Sequence, residues 1–366
     1  MNLREFAETL GLSQTTVSRA LNGYPEVSDK TRERVVRAAK LHNYRPNRRA
    51  RCLATGRSRR VAIVAGSGTE QGLKDPVFCA FLSGAAKVLE RENFDWVIRQ
   101  PRTNECAASS VASWEYSGFE GMILAAPTQD ANRLVERAPS DFPVVVRGNM
   151  RMADRSVCGL DFDHESAMRS AIQSLAGDGH RHIALVTGAP DRLQSQSQQA
   201  AFLNTMGDMG LPVSSDWVRS GSSTLEFGLR VADDFQKMGL SPTAVVIGCS
   251  MIASGIAARL PRGGTHTNGA PKFLYFDDGL TFVNASLSER CFGSIKTPSD
   301  VLGREIAETL LRQIRAPETL PNVRLLAPEM RLMTSPIPEN PGAYGPHEPL
   351  EALHGKSEAL HQSLEP

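Results

Sequence analysis

The sequence predicts a small all-α head followed by an α/β body of two lobes, each built on a doubly wound parallel sheet. Three short amphipathic segments with helix caps fill residues 1–45. From Val61 onward, apolar strands alternate with amphipathic helices, which is typical of parallel sheets covered by helices on both faces. About 275 residues of this alternation are too many for one sheet, so we expect two lobes.

In the head, helix caps and apolar spacing predict three helices. The first spans Leu3–Leu10, and the second follows the N-cap Ser13 and runs to Leu21. Residues 22–25, Asn-Gly-Tyr-Pro, end the second helix, and Ser28 caps the third. The candidate core residues of the third helix are Val35, Val36, Ala39 and Leu41.

In the body, strands and helices follow one another along the chain. Strands are expected at 61–65, 96–98, 121–125, 144–146, 183–187, 244–247 and 273–276. Helices are expected at 81–92, 165–177, 197–209, 225–238, 251–260 and 300–314. Ligands of such folds bind beyond the carboxyl ends of the strands, so we expect a ligand cleft between the lobes.

These patterns divide the chain into four parts. They are a helix-turn-helix head at 1–46, a linker at 47–60, the α/β body at 61–335 and a tail at 336–366. The tail is rich in Pro, Gly, Glu and His, which predicts disorder. The alternative is a tetramerising coiled coil, because the tail carries leucines at heptad-like spacing, namely Leu350, Leu353, Leu360 and Leu364.

Charge is segregated along the chain. Residues 1–60 hold fourteen Lys and Arg against five Asp and Glu, whereas the rest of the chain holds twenty-seven against thirty-five. A solvated basic face would not explain this segregation. A basic head on an acidic body indicates a polyanionic partner for the head alone.

Several classes of protein lack their signatures here. The sequence contains no run of eighteen apolar residues that would predict a membrane span. Residues 1–5 lack the apolar core of a secretory signal. The six cysteines form no CxxC pair and no Cys/His cluster, which indicates reduced thiols. Because GxSxG, P-loop and HExxH motifs are missing, we expect neither an enzyme nor a cofactor or metal site. We expect a cytoplasmic protein without a membrane partner.

Residues 3–22 have the spacing of a helix-turn-helix, whose second helix enters the major groove of DNA. Ala7 is small where two helices cross, Gly11 suits the turn, and Val17 fills the core. The second helix exposes candidate readers of base edges, namely Gln14, Thr15, Ser18 and Arg19. Candidate donors to phosphates are Ser13, Ser18, Asn22 and Thr31. The alternative is a helical bundle with polar surface residues.

A family resemblance rests on residues 12–28, LSQTTVSRALNGYPEVS, together with Thr31–Val35 and the sequence Tyr-Arg-Pro-Asn at 44–47. This block strongly resembles the DNA-binding head of the lactose/galactose repressor (LacI/GalR) family. The resemblance covers nearly all of residues 1–335. It implies double-stranded operator DNA as a partner and places Thr16 among the DNA-binding residues.

The resemblance also implies a role for the linker. Residues 50–54 resemble the hinge helix of the family, which folds on operator DNA. Leu53 would be an apolar wedge inserted in the minor groove at the dimer axis, and Arg48 would contact phosphate. The alternative is a flexible basic tether with Leu53 packed on the body.

The body resembles the type I periplasmic-binding-protein-like effector domain of the same family. Asp75 stands in a cleft-lining loop, and Asp277 matches a carboxylate that contacts the effector. A carboxylate suits a sugar because it accepts hydrogen bonds from two vicinal hydroxyls. Phe78 is a candidate for stacking on a ligand face, and Arg147 follows a strand end where it can contact the effector.

The sequence departs from the family pattern at two places. Gln198 stands where the family usually has an effector-binding arginine. Cys249-Ser250 stands where it usually has Asn-Asp. Both departures remove charge or hydrogen-bonding capacity from the expected pocket and put a standard sugar effector in question. The alternative for Gln198 is a shorter polar substitute in the same role.

These observations predict a sequence-specific transcriptional regulator, in the family's usual mode a repressor. A small-molecule effector, a sugar or sugar derivative, would control its operator affinity from the cleft. We expect a homodimer that reads two half-sites, with a tetramer less favoured. The alternatives are a solute-binding sensor with a non-sugar ligand and little specific DNA binding, and an enzyme on an α/β scaffold. The operator, the effector and the sign of the response stay open.

Overall fold

A computed structural model describes residues 1–44, 57–65, 72–99, 118–127, 135, 138–139, 141–148, 157–237, 242–259, 271–287, 291–316 and 323–332. The head consists of α1 (Leu3–Leu10), α2 (Gln14–Leu21) and α3 (Asp29–Leu41), as the sequence predicts. Asn2 and Glu5 form a reciprocal capping box at α1. Gly11 ends α1 with a φ of 61°, a left-handed conformation that glycine adopts without steric cost.

The core of the head holds Phe6, Val17, Val35 and Tyr44, with the rings of Phe6 and Tyr44 stacked at a centroid distance of 4.2 Å. The prediction for α3 was partly wrong. Val36 and Leu41 are 38% and 81% exposed, whereas Ala39 packs against the core. At 3.6 residues per turn, Val35 and Ala39 share a face, and Val36 and Leu41 lie outside it.

The first lobe is a six-stranded sheet in the order β11-β5-β4-β3-β1-β2, and all its strand pairs are parallel. Its strands are β1 (Arg60–Val64), β2 (Asp95–Arg99), β3 (Gly121–Leu124), β4 (Val144–Arg147), β5 (Cys158–Phe162) and β11 (Val323–Leu326). Helices α4 (Pro76–Arg91) and α10 (Ser299–Arg315) pack on one face of this sheet.

The second lobe is a six-stranded sheet in the order β12-β10-β9-β8-β6-β7, and it is parallel except for the edge pair β10-β12. Its strands are β6 (Ile183–Thr187), β7 (Val218–Ser220), β8 (Ala244–Ile247), β9 (Lys272–Asp277), β10 (Gly293–Lys296) and β12 (Glu329–Leu332). Its helices are α5 (His164–Gly177), α6 (Leu193–Asp208), α7 (Leu225–Lys237), α8 (Ser250–Arg259) and α9 (Thr281–Leu287). Separate apolar clusters cover the two faces of this sheet.

The two sheets confirm the prediction of two lobes. Every predicted strand and helix of the body is present, but β5, β7, β10, β11, β12 and α9 were not predicted. Two helices also begin earlier than expected. The first is α4, where Pro76 occupies the first turn and the Asp75 side chain accepts a hydrogen bond from Val77 N at 2.9 Å. The second is α6, which begins at Leu193.

Helices α4 and α10 cross closely because each has a glycine at the crossing point. A Cβ atom on Gly303 would lie 2.1 Å from Phe81 O, and one on Gly84 would lie 1.9 Å from Asp300 O. Both oxygens belong to helix backbone, which cannot move aside without shifting the helix. The crossing therefore depends on the missing side chains.

We expect Gly303→Val to destabilise the protein by about 3 kcal/mol or more, because the new side chain forces the two helices apart. Urea unfolding measures the change in unfolding free energy. The matched control is Gly207→Ala, because no atom lies within 4 Å of a Cβ at Gly207. That control should be neutral or stabilising by up to about 1 kcal/mol. A loss below about 1 kcal/mol for Gly303→Val would contradict the close crossing.

Candidate functional site

The solvent face of α2 carries the side chains predicted to read DNA. Gln14, Thr15 and Arg19 are exposed, and Thr16 and Ser18 are half-buried. The opposite face of α2 is buried in the core of the head. The helix therefore presents a polar face with the hydrogen-bond donors and acceptors that base edges require.

Three of the four predicted phosphate donors, Ser13, Asn22 and Thr31, lie at helix ends, whereas Ser18 lies within α2. Ser13 caps α2, where its Oγ accepts a hydrogen bond from Thr16 N at 3.0 Å. Thr31 lies in the first turn of α3, with its Oγ1 2.9 Å from Ser28 Oγ. Asn22 directly follows α2. Because helix N-termini attract anions, α2 and α3 offer two such positions on the head.

The predicted hinge contacts Arg48 and Leu53 lie outside the described residues. Their roles stay predictions from the sequence.

A cavity of about 370 Å³ lies between the two lobes. Its lining follows the carboxyl ends of strands in both sheets, as expected for ligand sites of parallel α/β folds. The charged and polar lining residues of the first lobe are Asp75 and Arg147, and those of the second lobe include Arg192, Gln194, Gln198 and Asp278. The cavity is within the size range of small-molecule sites.

The carboxylate predicted to contact the effector lies outside the cavity in the structure. Asp277 does not line the cavity; its side chain forms an ion pair with Lys296 and accepts a hydrogen bond from Gly279 N at 2.9 Å. Its neighbour Asp278 lines the cavity instead. Successive residues at a strand end point to opposite sides, so only one of the two can face the cleft.

Asp278 is held by the start of α8. Its Oδ2 accepts a hydrogen bond from Ser250 N at 2.8 Å, and its own N–H donates to Ser250 Oγ at 3.0 Å. Its Oδ1 is buried and has no hydrogen-bond partner among the described residues. Burial raises the pKa of Asp278 to about 7, and the nearby Asp75 and Asp277 charges act in the same direction.

Two arginines line the cavity together with the carboxylates. Arg147, at the end of β4, is 9% exposed and donates from Nη2 to Gln194 Oε1 at 3.0 Å. Its Nε has no hydrogen-bond partner among the described residues. Arg192 precedes α6 and donates from Nη1 to Ala126 O at 2.7 Å. Both hydrogen bonds join one lobe to the other.

Asp75 and Phe78 lie at the start of α4 and line the cavity from the first lobe. Burial raises the pKa of Asp75, although the Val77 N–H and the charges of Arg147 and Arg192 oppose this rise. Phe78 is 5% exposed and packs in the core of the first lobe. It therefore offers the cavity only a small part of its ring.

Gln198 lines the cavity but uses both ends of its amide within the protein. Thr187 Oγ1 donates to its Oε1 at 2.6 Å, and its Nε2 donates to Gly248 O at 3.0 Å. These bonds tie α6 to the ends of β6 and β8. Cys249 also lines the cavity, and burial raises the pKa of its thiol, which is therefore uncharged.

The raised pKa of Asp278 predicts a pH-dependent stability. The protonated Asp278 carboxyl makes its full contribution to the free energy of unfolding below its ordinary pKa of 3.8. This contribution is lost as the pH rises towards about 7. We therefore expect Asp278→Asn to gain stability relative to the wild type between about pH 4 and about pH 8, by at most about 4 kcal/mol. Urea unfolding at both pH values tests this, with the exposed Asp216→Asn as control. An equal gain in the two variants would contradict it.

Two kinds of site are absent from the described part of the chain. None of these residues form a group of three or more His, Cys, Asp or Glu side chains that could hold a metal ion. Among the same residues, no helix is both long and apolar enough to cross a membrane.

Comparison with protein families agrees with this architecture. Residues 69–333 match the family described as periplasmic binding proteins and sugar binding domain of LacI family, and residues 2–47 match the bacterial regulatory proteins, lacI family. The chain belongs to the LacI family. As a member, it is a helix-turn-helix transcriptional regulator with a periplasmic-binding-protein-like domain. The resemblance to LacI/GalR regulators is thereby confirmed.

Relatives of this LacI-family regulator match over almost the whole chain. The HTH-type transcriptional regulator AglR of Rhizobium meliloti (strain 1021) is 29% identical over 344 residues, which cover 93% of this chain and 96% of that protein. RafR of Escherichia coli is 26% identical over 323 residues, covering 87% and 94%.

Solved structures share the fold of this LacI-family chain. The lac repressor dimer bound to operator and the anti-inducer ONPF has a TM-score of 0.75 at 21% identity, covering 90% of this chain and 97% of that one. The CelR–cellobiose complex has a TM-score of 0.64 at 22% identity, covering 91% and 98%.

Several residues of the cavity were not predicted from the sequence as effector contacts, and the charged and amide ones among them are Arg192, Gln194 and Asp278. Each follows the end of a strand, β6 or β9, where ligand-binding residues are expected. That signal was available for all three, but the expected start of α6 near Ser197 placed Arg192 and Gln194 outside the helix that positions them.

Proposed function

We propose that this LacI-family regulator binds operator DNA through α2 and that a sugar or sugar derivative in the cleft controls this binding. The observation that supports an effector is the cavity between the lobes, where carboxylates and guanidinium groups lie in a confined, partly buried space. Asp278 and Arg147 provide a hydrogen-bond acceptor and a donor that have no protein partner among the described residues. A polyhydroxy ligand can satisfy both, because each hydroxyl donates and accepts.

On DNA, α2 would enter the major groove. Gln14 and Arg19 suit bidentate contacts to adenine and guanine, and Thr15 and Thr16 suit the thymine methyl group or other base edges. Ser13, Ser18, Asn22 and Thr31 would position the head by contacting the phosphate backbone, together with Arg48 of the linker. Leu53 would act as the wedge in the minor groove.

The regulator would act as a homodimer on a two-fold symmetric operator, with repression as its mode. Two exposed apolar side chains of the second lobe support self-association. Phe282 of α9 is 69% exposed and Leu225 of α7 is 37% exposed, and both helices pack beside α8. The lac repressor, similar in fold, is a dimer on its operator.

The contacts between the lobes link the cavity to the lobe arrangement. Arg147 bonds to Gln194 and Arg192 bonds to Ala126, so each arginine of the cavity also joins the lobes. Leu193 N donates to Pro127 O at 3.3 Å beside them. An effector that engages the arginines competes with these bonds and thereby shifts the equilibrium between lobe arrangements.

A two-stage experiment tests this proposal. A panel of sugars is first screened for thermal stabilisation of the full chain, since a ligand at about 100 times its Kd adds about 2.7 kcal/mol to stability. Each stabilising sugar is then added to an operator titration followed by fluorescence anisotropy. We expect operator affinity to change with the sugar. A sugar that stabilises the protein but leaves operator affinity unchanged would favour the alternative, a sensor with little specific DNA binding.

A further inference from the structure

Two arginines place fixed positive charge in the cavity, and the helix ends around it add to this charge. Arg147 and Arg192 both line it, and a guanidinium stays protonated at every physiological pH. Arg147 is more than nine-tenths buried, and its Nε is buried without a hydrogen-bond partner among the described residues. A buried donor of this kind is costly unless an acceptor meets it.

Four helices begin at the cavity wall. Asp75 caps α4, Arg192 precedes α6, Ser223 lies just before α7, and Cys249 directly precedes α8; all four residues line the cavity. Each helix N-terminus carries a partial positive charge of about half an elementary charge. The start of α6 has no side-chain cap. These helix ends add to the field of the two arginines.

The two carboxylates of the cavity, Asp75 and Asp278, contribute less negative charge than two free carboxylates would. One carboxylate oxygen of Asp75 accepts a hydrogen bond from Val77 N at the N-terminus of α4. One carboxylate oxygen of Asp278 accepts a hydrogen bond from Ser250 N at the N-terminus of α8. Burial raises the pKa of both groups, that of Asp278 to about 7, so Asp278 loses part of its negative charge near neutral pH. The cavity is therefore electropositive around the arginines and keeps one acceptor, Asp278 Oδ1, for a donor of the ligand.

We propose that the effector carries an anionic oxygen group, a carboxylate or a phosphate, bound by Arg147 and Arg192, and hydroxyl groups that donate to Asp278. Arginine forks match the oxygens of either anion in a bidentate geometry. The effector is thus an acidic sugar or a related hydroxy acid rather than a neutral sugar. This inference rests on the proposed function, because it takes the cavity as the effector site.

The test compares neutral sugars with their acidic or phosphorylated counterparts. Thermal stabilisation of the full chain is measured at constant ionic strength with D-glucose, D-glucuronate and D-glucose 6-phosphate, with D-galactose and D-galacturonate, and with inorganic phosphate. The protein is the wild type, Arg147→Gln, Arg192→Gln and the control Arg169→Gln. Arg169 pairs with Asp208 on the surface and does not line the cavity.

We expect at least one anion to bind with a tenfold or greater preference over its neutral counterpart. The wild type and Arg169→Gln should show this preference, and the two cavity variants should lose it. Comparing the stabilisation by the sugar carboxylates with that by the phosphate ligands shows which type of anion the cavity prefers. Equal stabilisation by the anions in all four proteins, or no stabilisation by any anion, would overturn the inference.

Failure of this inference and failure of the proposed function give different results. A neutral sugar that binds as tightly as its acid and changes operator affinity overturns the anionic effector and leaves the proposed function intact. An acid that binds through Arg147 but leaves operator affinity unchanged supports the anionic ligand and contradicts the control of DNA binding.

Discussion

Replacing Asp278 by asparagine is expected to weaken effector binding by about tenfold to a hundredfold while operator affinity in the absence of effector stays unchanged. The substitution removes a carboxylate that lines the cavity and is charged above its pKa of about 7, but it keeps the size of the side chain and an oxygen for Ser250 N. A hydrogen bond to a charged group contributes about 1.5–3 kcal/mol, which corresponds to this range. Fluorescence anisotropy with labelled operator measures both quantities on one protein.

The adjacent Asp277→Asn is the matched control. Its carboxylate is directed at Lys296 and Gly279 N rather than at the cavity. We expect this variant to respond to effector with unchanged affinity. A lost response in Asp277→Asn together with a normal response in Asp278→Asn would place the binding carboxylate at the residue that the sequence predicted.

Removing the side chain of Arg19 is the second change with a large expected effect. We expect Arg19→Ala to reduce the preference for the operator over unrelated duplex DNA by about 1–3 kcal/mol, because a bidentate contact to guanine discriminates by that amount. Arg19 is exposed on α2, so the truncation leaves the core of the head intact. Competition titrations with operator and unrelated duplex measure the preference.

Arg4→Ala is the control for charge alone. Arg4 is exposed on α1, a different helix from α2, and pairs with Glu8 at 3.1 Å. Its loss should lower the affinity for both duplexes equally and only slightly, through weaker attraction to phosphates. If Arg19→Ala behaved in the same way, α2 would not read bases through Arg19.

Local signals made the head predictable. Ser13 and Ser28 cap helices with a side-chain oxygen, and Gly11 supplies the left-handed conformation that the turn requires. The exposure of Leu41 was not predictable from its type, because an apolar residue near a helix end has few neighbours that determine its face. Leu41 lies outside the core because its position around the helix axis differs from that of the buried Val35.

In the body, apolar runs predicted seven strands, whereas strands without a continuous apolar run were missed. Strand β5 is interrupted by Gly159 and Asp161, and β11 and β12 are only partly buried, so none of them has a continuous apolar pattern. The two lobes followed from length and alternation alone. Which strands pair across a lobe is set by contacts distant in sequence, and no local pattern encodes them.

The cavity was predictable in place but not in detail. The family resemblance placed Asp75 in the cleft and a strand end placed Arg147 there, and both residues line the cavity. The choice between Asp277 and Asp278 depends on where the last residue of β9 points, which a sequence motif does not specify. Gln198 forms hydrogen bonds with Thr187 and Gly248, and a sequence motif does not specify these partners because folding brings them together.

The central claim is that one chain reads a specific DNA sequence and that a ligand in its cleft controls this reading. Selection of bound sequences from random duplex DNA, with and without a panel of neutral and acidic sugars, tests it most directly with the wild type and Arg147→Gln. We expect an enriched palindrome whose recovery changes with one sugar in the wild type and does not change in the variant. Absence of any enriched sequence at moderate salt, or an equal response in the variant, would contradict it.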